Sequence, residues 1–331
     1  MTTETTPRER RTALRGLPGE PLLEVAGLEV ATAAGVKLLH GMELAVPAGA
    51  RVGIVGESGS GKSMTAAAVL GLLPDGVRAT AGSVRLRDRE LSGLPERELR
   101  AIRGREISIV YQNAVTSLNP LMPVGEQIAR VCRTHTGVSK EAARERTVEL
   151  LDRLGIADAR SRANDYPHHF SGGMAQRVAI AMALICDPAL LIADEPTTGL
   201  DATIQAQVLD VIDGSVRERE AALLLISHDL GVIRAMCDHV AVVYAGELLE
   251  FGATEEVLGN PLSPYTAGLV RCLEPADGEI AYIPGRIPAP GTPRRGCVFA
   301  PRCEQATDSC RTRQPELSEL RPHHWASCHH Q

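Results

Sequence analysis

The sequence predicts an α/β fold, and three observations carry that reading. Arg51–Val55 is a short apolar strand, a glycine-rich turn follows it, and residues 63–73 form a helix-prone run stopped by Pro74-Asp75-Gly76. Two later apolar runs, 189–193 and 222–226, are continuous and end in polar residues, as parallel strands buried on both faces do. Near the start, residues 22–30 and 38–46 alternate apolar and polar side chains, with turns at Ala33-Ala34-Gly35 and Pro47-Ala48-Gly49. That alternation predicts an antiparallel lead-in.

Between the glycine turn and the later strands, helical spacing dominates residues 124–183, with separate helices at 126–133, 140–154 and 175–184. A helical subdomain is therefore expected at about 113–183. Beyond about Pro261 the composition changes: proline and glycine become frequent over 284–293, and four cysteines follow. The expected organisation is a solvated tail over 1–20, a main domain over 21–260 and a separate extension over 261–331. In its last 35 residues only Val298, Phe299, Leu317, Leu320 and Trp325 are candidates for a small local core.

Composition bounds the function. A chain of 331 residues with 44% apolar side chains can fill a sizeable core. With 35 basic against 41 acidic residues and a net charge of -6, it lacks the cationic surface that coats nucleic acid, so no nucleic-acid partner is expected. The most apolar stretch, 178–193, is interrupted by Asp187-Pro188 and is too short to cross a bilayer. Arg8, Arg10, Arg11 and Arg15 precede no apolar run of the secretory kind, so an intracellular location is expected.

Gly56-Glu57-Ser58-Gly59-Ser60-Gly61-Lys62-Ser63 fits the phosphate-loop pattern in full, between a strand and a helix. In such a loop backbone N–H groups curl around a phosphate at a helix N-terminus. Lys62 reaches the terminal phosphates, and the Ser63 hydroxyl ligates magnesium. Asp194 and Glu195 end an apolar strand, where one carboxylate can hold Mg2+ and the other can polarise an attacking water. Ser171-Gly172-Gly173 opens a helix with a serine cap, a second anion-binding N-terminus in the same chain. One nucleotide does not need two cradles in one subunit. The economical reading is that this second cradle closes on the γ-phosphate of ATP held by another copy or a related chain.

These residues, together with Gln112 after Val110-Tyr111, Thr198-Gly199-Leu200-Asp201 and Ser227-His228-Asp229, occur in the order of an ABC-type ATPase, which the chain resembles over about 22–260. The resemblance implies a P-loop ABC cassette with an antiparallel β-subdomain and an inserted α-helical subdomain. It implies that Gln112 contacts magnesium and couples to a membrane subunit, that Asp201 lines a dimer seam, and that His228 contacts the γ-phosphate. Thr116-Ser117-Leu118-Asn119-Pro120, Tyr166-Pro167-His168, Pro264-Tyr265-Thr266 and the terminal cysteines are similar to the ATPase subunits of oligopeptide and dipeptide importers, a group that includes nickel importers. The partners so implied are a second ABC ATPase subunit, identical or not, two membrane permease subunits and, indirectly, an extracytoplasmic solute-binding protein. The implied place is the cytoplasmic face of the membrane, with peptides as the solute. Nickel or another small solute, and a soluble ABC ATPase outside transport, are the alternatives.

Three departures stand out. His169 and Ser263 replace residues common in that group, at positions away from hydrolysis. Thr32 lies where an aromatic normally stacks on adenine, and no Phe, Trp or Tyr occurs before Tyr111. Weak discrimination among nucleobases is the expectation.

Cys297, Cys303, Cys310 and Cys328 are spaced C-x5-C-x6-C-x17-C, without the C-x2-C knuckles of zinc ribbons. Four thiolates can hold an iron–sulfur cluster with looser spacing, and the importer resemblance implies a [4Fe–4S] centre. Zinc, or no metal, is the alternative. His323, His324, His329 and His330 could take a cysteine's place on zinc, and otherwise read as a solvated polar terminus.

Overall fold

The computed structural model describes residues 12–14, 17, 19–273 and 282–330. The chain divides into two compact units, one made of residues up to 94 and from 225 onward, the other of residues 95–224. No helix among the described residues is long and apolar enough to cross a membrane.

The first unit holds two sheets. One is antiparallel, in the order Lys37–Pro47, Pro21–Thr32, Val77–Leu86, Arg89–Glu90. The expected antiparallel pairing is present, but burial does not alternate: Leu22, Leu23, Glu24, Val25 and Ala26 are all buried, and Val25 lies opposite both Leu44 and Val84. The other sheet carries Arg51–Val55 parallel to His239–Tyr244, with Ile54 opposite Ala241. From there it continues antiparallel through Glu247–Ala253 to the C-terminal hairpin His324–Ala326 and Ser318–Arg321.

The helix after the glycine turn is shorter than the sequence predicts, running Lys62–Val69. Gly71, at φ 62°, closes it: its N–H donates to the Ala68 carbonyl, and that of Leu72 donates to Ala67, the paired bonds of a glycine-terminated helix. Pro74-Asp75-Gly76 forms the following turn, in which the Val77 N–H donates to the Pro74 carbonyl, and strand Val77–Leu86 begins there.

In the second unit, Ile107–Val110 and Leu190–Asp194 run parallel with Ile109 opposite Ile192, and Ala222–Ile226 lies beside the latter. The helices fall where the spacing places them, at Val124–Thr136, Lys140–Arg153 and Gly172–Leu184, with Ala202–Glu218 in addition. Val124, Ile128, Ala129 and Cys132 form one buried stripe at three- and four-residue intervals.

The C-terminal region does not form a core of its own. Leu317 and Leu320 stay half-buried, whereas Phe299 packs 5.3 Å from the Tyr244 ring and 5.2 Å from that of Tyr265, and Trp325 lies 6.0 Å from Phe251. So few large apolar residues cannot close around one another, so they complete a core that the preceding strands supply.

The expectation of a solvated histidine terminus is corrected. His324 is buried, its Nε2 2.7 Å from Oε1 of the fully buried Glu250. The Glu250 side-chain oxygens also accept from the Leu262 and Ser263 N–H groups, so this buried polar group is hydrogen-bonded. His329 Nε2 lies 2.8 Å from the Arg313 carbonyl, and His330 Nε2 lies 3.6 Å from Cys310 Sγ.

Candidate nucleotide site and cysteine cavity

In the first unit, the strand Arg51–Val55 delivers the chain into the loop and Gly61 opens the helix Lys62–Val69. Gly56 sits at φ 150°, and a Cβ there would stand 2.0 Å from the Val243 carbonyl oxygen, so only glycine lets the loop leave the strand this closely. Lys62 is buried and folded onto the loop, its Nζ donating to the Gly56 carbonyl at 2.9 Å and to that of Glu57 at 3.1 Å. The cation is thus stored against the loop it would serve. Ser63 follows, exposed in the first turn. His228 is exposed just beyond Ala222–Ile226, and Asp229 caps the next helix by accepting from the Gly231 and Val232 N–H groups.

In the second unit, Asp194 and Glu195 end the strand Leu190–Asp194, both half-buried. Glu195 has φ 47°, a left-handed backbone that is costly for a side chain of this size and typical of functional positions. Its Oε2 accepts from Gln112 Nε2 at 3.3 Å and from Thr198 Oγ1 at 3.0 Å. Three residues singled out in separate motifs thereby meet at one carboxylate.

The serine–glycine helix is built as expected. Ser171 Oγ accepts from the Met174 N–H, and Gly173 lies so close to the helix Ala202–Glu218 that a Cβ would meet Ile204 Cγ2 at 2.5 Å. Arg177 ties its helix to two neighbours, donating to the Leu154 carbonyl at the end of Lys140–Arg153 and to Gln207 Oε1 on Ala202–Glu218. Asp201 caps Ala202–Glu218, accepting from Thr203 and Ile204 N–H groups.

Thr32 is held in the turn after its strand, its N–H donating to the Val36 carbonyl and its hydroxyl accepting from the Val36 N–H. No ring stands at that position.

All four terminal cysteines line one small cavity, with Phe299, His329 and His330 among its other walls. Burial is the largest cause that raises the Cys297 thiol to about 11 and also raises Cys303 and Cys328, and neighbouring thiols add to each shift. Among the described residues, no group of three or more His, Cys, Asp or Glu side chains is arranged to hold a metal ion. The sulfurs surround a space without gathering at a point.

Sequence reasoning missed a contact between the C-terminal region and the phosphate loop. Arg302 Nη1 donates to Glu57 Oε2 at 2.9 Å, and the Tyr265 hydroxyl accepts from the Glu57 N–H at 3.0 Å. No local pattern signals a pairing across 245 positions.

The family model for the ABC transporter matches residues 39–198, and that for the oligopeptide/dipeptide transporter C-terminal region matches 249–310. The oligopeptide transport ATP-binding protein OppD of Salmonella typhimurium is 45% identical, with 94% of each chain covered. The chain belongs to the ABC transporter family. Another relative, the oligopeptide transport ATP-binding protein AppD of Bacillus subtilis, is 44% identical over 85% of this chain and 87% of its own. Among solved structures, a dimeric post-hydrolysis state of an ATP-binding cassette bound to ADP and Pi has a TM-score of 0.63 at 26% identity, covering 70% of this chain and 98% of that one. The fold is that of an ABC ATPase cassette, and the chain is an ABC-type ATPase.

Proposed function

We propose that this ABC ATPase powers the import of peptides through a membrane permease by ATP-driven closure of a dimer. The observation that carries the reading is similarity along nearly the whole chain to oligopeptide transport ATP-binding proteins, C-terminal region included. Two permease subunits and a second ATPase subunit are the partners, at the cytoplasmic face of the membrane, with a solute-binding protein acting outside. Exposed side chains in the motifs support a partner contact: Leu121 is 86% exposed, and Tyr111, which precedes Gln112 in the chain, and Tyr166 are exposed as well. The Asn119 segment is held firm for such a contact by Gln127, which bonds both the Asn119 N–H and its carbonyl.

Each residue then has a role. The loop amides of Gly56, Glu57, Ser58, Gly59, Ser60 and Gly61 cradle the phosphates, and Lys62 leaves its loop carbonyls to meet their charge. Ser63, Gln112 and Asp194 are hard oxygen donors suited to Mg2+, which when bound neutralises phosphate charge. Glu195, aimed by Gln112 and Thr198, takes the proton of the attacking water. His228 meets the γ-phosphate. Ser171, Gly172 and Gly173 present a helix N-terminus to the nucleotide of the partner subunit, and Asp201 lines the seam while capping its own helix.

For the four cysteines we propose a [4Fe–4S] cluster held by Cys297, Cys303, Cys310 and Cys328. Support comes from the donor set and from sulfurs that surround a cavity, since cluster ligands stand farther apart than the ligands of a single zinc ion. Its role is to fix the C-terminal fold. Anaerobically purified protein should be brown with about four irons per chain, and Cys303→Ser should bleach it. A colourless preparation with stoichiometric zinc would replace the metal, and an ordered, metal-free region would remove the assignment. For the transport reading, purification from membranes should recover a permease and a peptide-binding receptor; recovery of nucleic acid or ribosomes instead would overturn it.

A further inference from the structure

Arg302 is placed with unusual care for a residue that no catalytic motif contains. Its side chain is 5% exposed. Nε donates to the Pro284 carbonyl at 2.7 Å and Nη2 to that of Ile283 at 3.0 Å. The guanidinium lies 5.6 Å from the Tyr244 ring centre and 6.0 Å from that of Phe299. Nη1 is left for Glu57 Oε2 and the Tyr244 hydroxyl. A long cation normally spends rotamer entropy to hold one position, but here backbone carbonyls and aromatic faces have fixed it beforehand.

Glu57 is the second residue of the phosphate loop and is gripped from three directions. Arg302 takes its carboxylate, Tyr265 takes its N–H, and Lys62 takes its carbonyl. The Lys62 contact must be given up when that lysine turns to phosphate. The other two come from the C-terminal region and do not depend on nucleotide, so they keep residue 57 in place as the lysine leaves.

We propose that Arg302 is a positioning residue of the ATP site, holding the phosphate loop preorganised for nucleotide through its ion pair with Glu57. The proposal rests on reading the loop as the ATP site. It gives the C-terminal region a part in nucleotide affinity. Because Cys303 follows directly, the fold around the cysteine cavity sets where Arg302 stands.

The test is calorimetric titration of the full chain with Mg–ATP for the wild type, Arg302→Met, Glu57→Ala and the double variant. Arg302→Met should weaken ATP affinity about tenfold with the number of binding sites per chain unchanged, and the double variant should be no weaker than the worse single one. A role confined to anchoring the 283–284 segment would instead lower the number of sites and leave the dissociation constant alone, which would overturn the proposal. Additive losses in the double variant would overturn it too. Should Arg302→Met fail to fold, Glu57→Ala, on the partly exposed partner, still decides: unaltered affinity there refutes the proposal. A wild type that binds no ATP would overturn the loop assignment itself, a separate result.

Discussion

Glu195→Gln isolates the chemical step. The amide has the shape of the carboxylate, and its oxygen can accept the same two hydrogen bonds, from Gln112 Nε2 and Thr198 Oγ1. The left-handed backbone at φ 47° is equally costly for Gln, so the loop should keep its geometry. Only the proton acceptor is lost. General-base catalysis contributes about 10²–10⁴ in rate, so the barrier should rise by about 3–5 kcal/mol. ATP affinity should move by no more than a few-fold, because the Lys62 loop is untouched. Steady-state phosphate release measures the first quantity, and nucleotide titration measures the second. Size exclusion with ATP and magnesium should show the dimer accumulating. Turnover within about tenfold of wild type would refute Glu195 as the base.

Three further outcomes follow from other residues. With Thr32 closing a turn where a stacking ring is expected, GTP should compete with ATP almost equally in the isolated chain, since base–aromatic stacking is worth about 1–3 kcal/mol where it occurs; a hundredfold ATP preference in competition binding would count against this. Burial first, then the charges of Arg294 and Lys37, lowers His40 from 6.5 to about 4, so between those values the unfolded chain binds more protons and stability falls as pH falls. Denaturant titrations should show a shallower loss across that window in His40→Gln, and an unchanged pH slope would clear His40 of the effect. Asp201→Ala removes the acceptor for two N–H groups at the start of Ala202–Glu218 and should cost about 1 kcal/mol of stability, read as a lower denaturation midpoint; an unshifted midpoint would show that water replaces the cap.

What the sequence revealed was governed by local rules. The strand, glycine loop and helix around Lys62 follow from residues close together in the chain, as do the buried stripe of Val124–Thr136 and the cap at Ser171. The run 63–73 overshoots the helix because Pro74 is the next strong breaker in the sequence, whereas Gly71 already ends the helix through two backbone bonds. Strands Val77–Leu86 and Glu247–Ala253 escaped periodicity. The first exposes much of its length on both faces and the second is buried along nearly all of it, so neither alternates. Contacts between distant segments were the least legible. The buried Glu250–His324 pair spans 74 positions and the Glu57–Arg302 pair 245, and in each the sequence offers only an ordinary charged residue at either end. Composition did suggest that the C-terminal region lacks a core, but not that Tyr244, Phe251 and Tyr265 would provide one.

The central claim is that ATP hydrolysis by this chain drives peptides across a membrane. Its most direct test is release of a labelled oligopeptide from vesicles that carry the permease and are preloaded with the peptide and the receptor, with this chain and its partner ATPase bound outside, so that transport runs outward toward the ATPase side. Wild-type chain with Mg–ATP should release peptide from the vesicles in step with phosphate, and the Glu195→Gln chain should abolish both. Phosphate release with no peptide movement, or peptide movement that persists in the Glu195→Gln assembly, would contradict it.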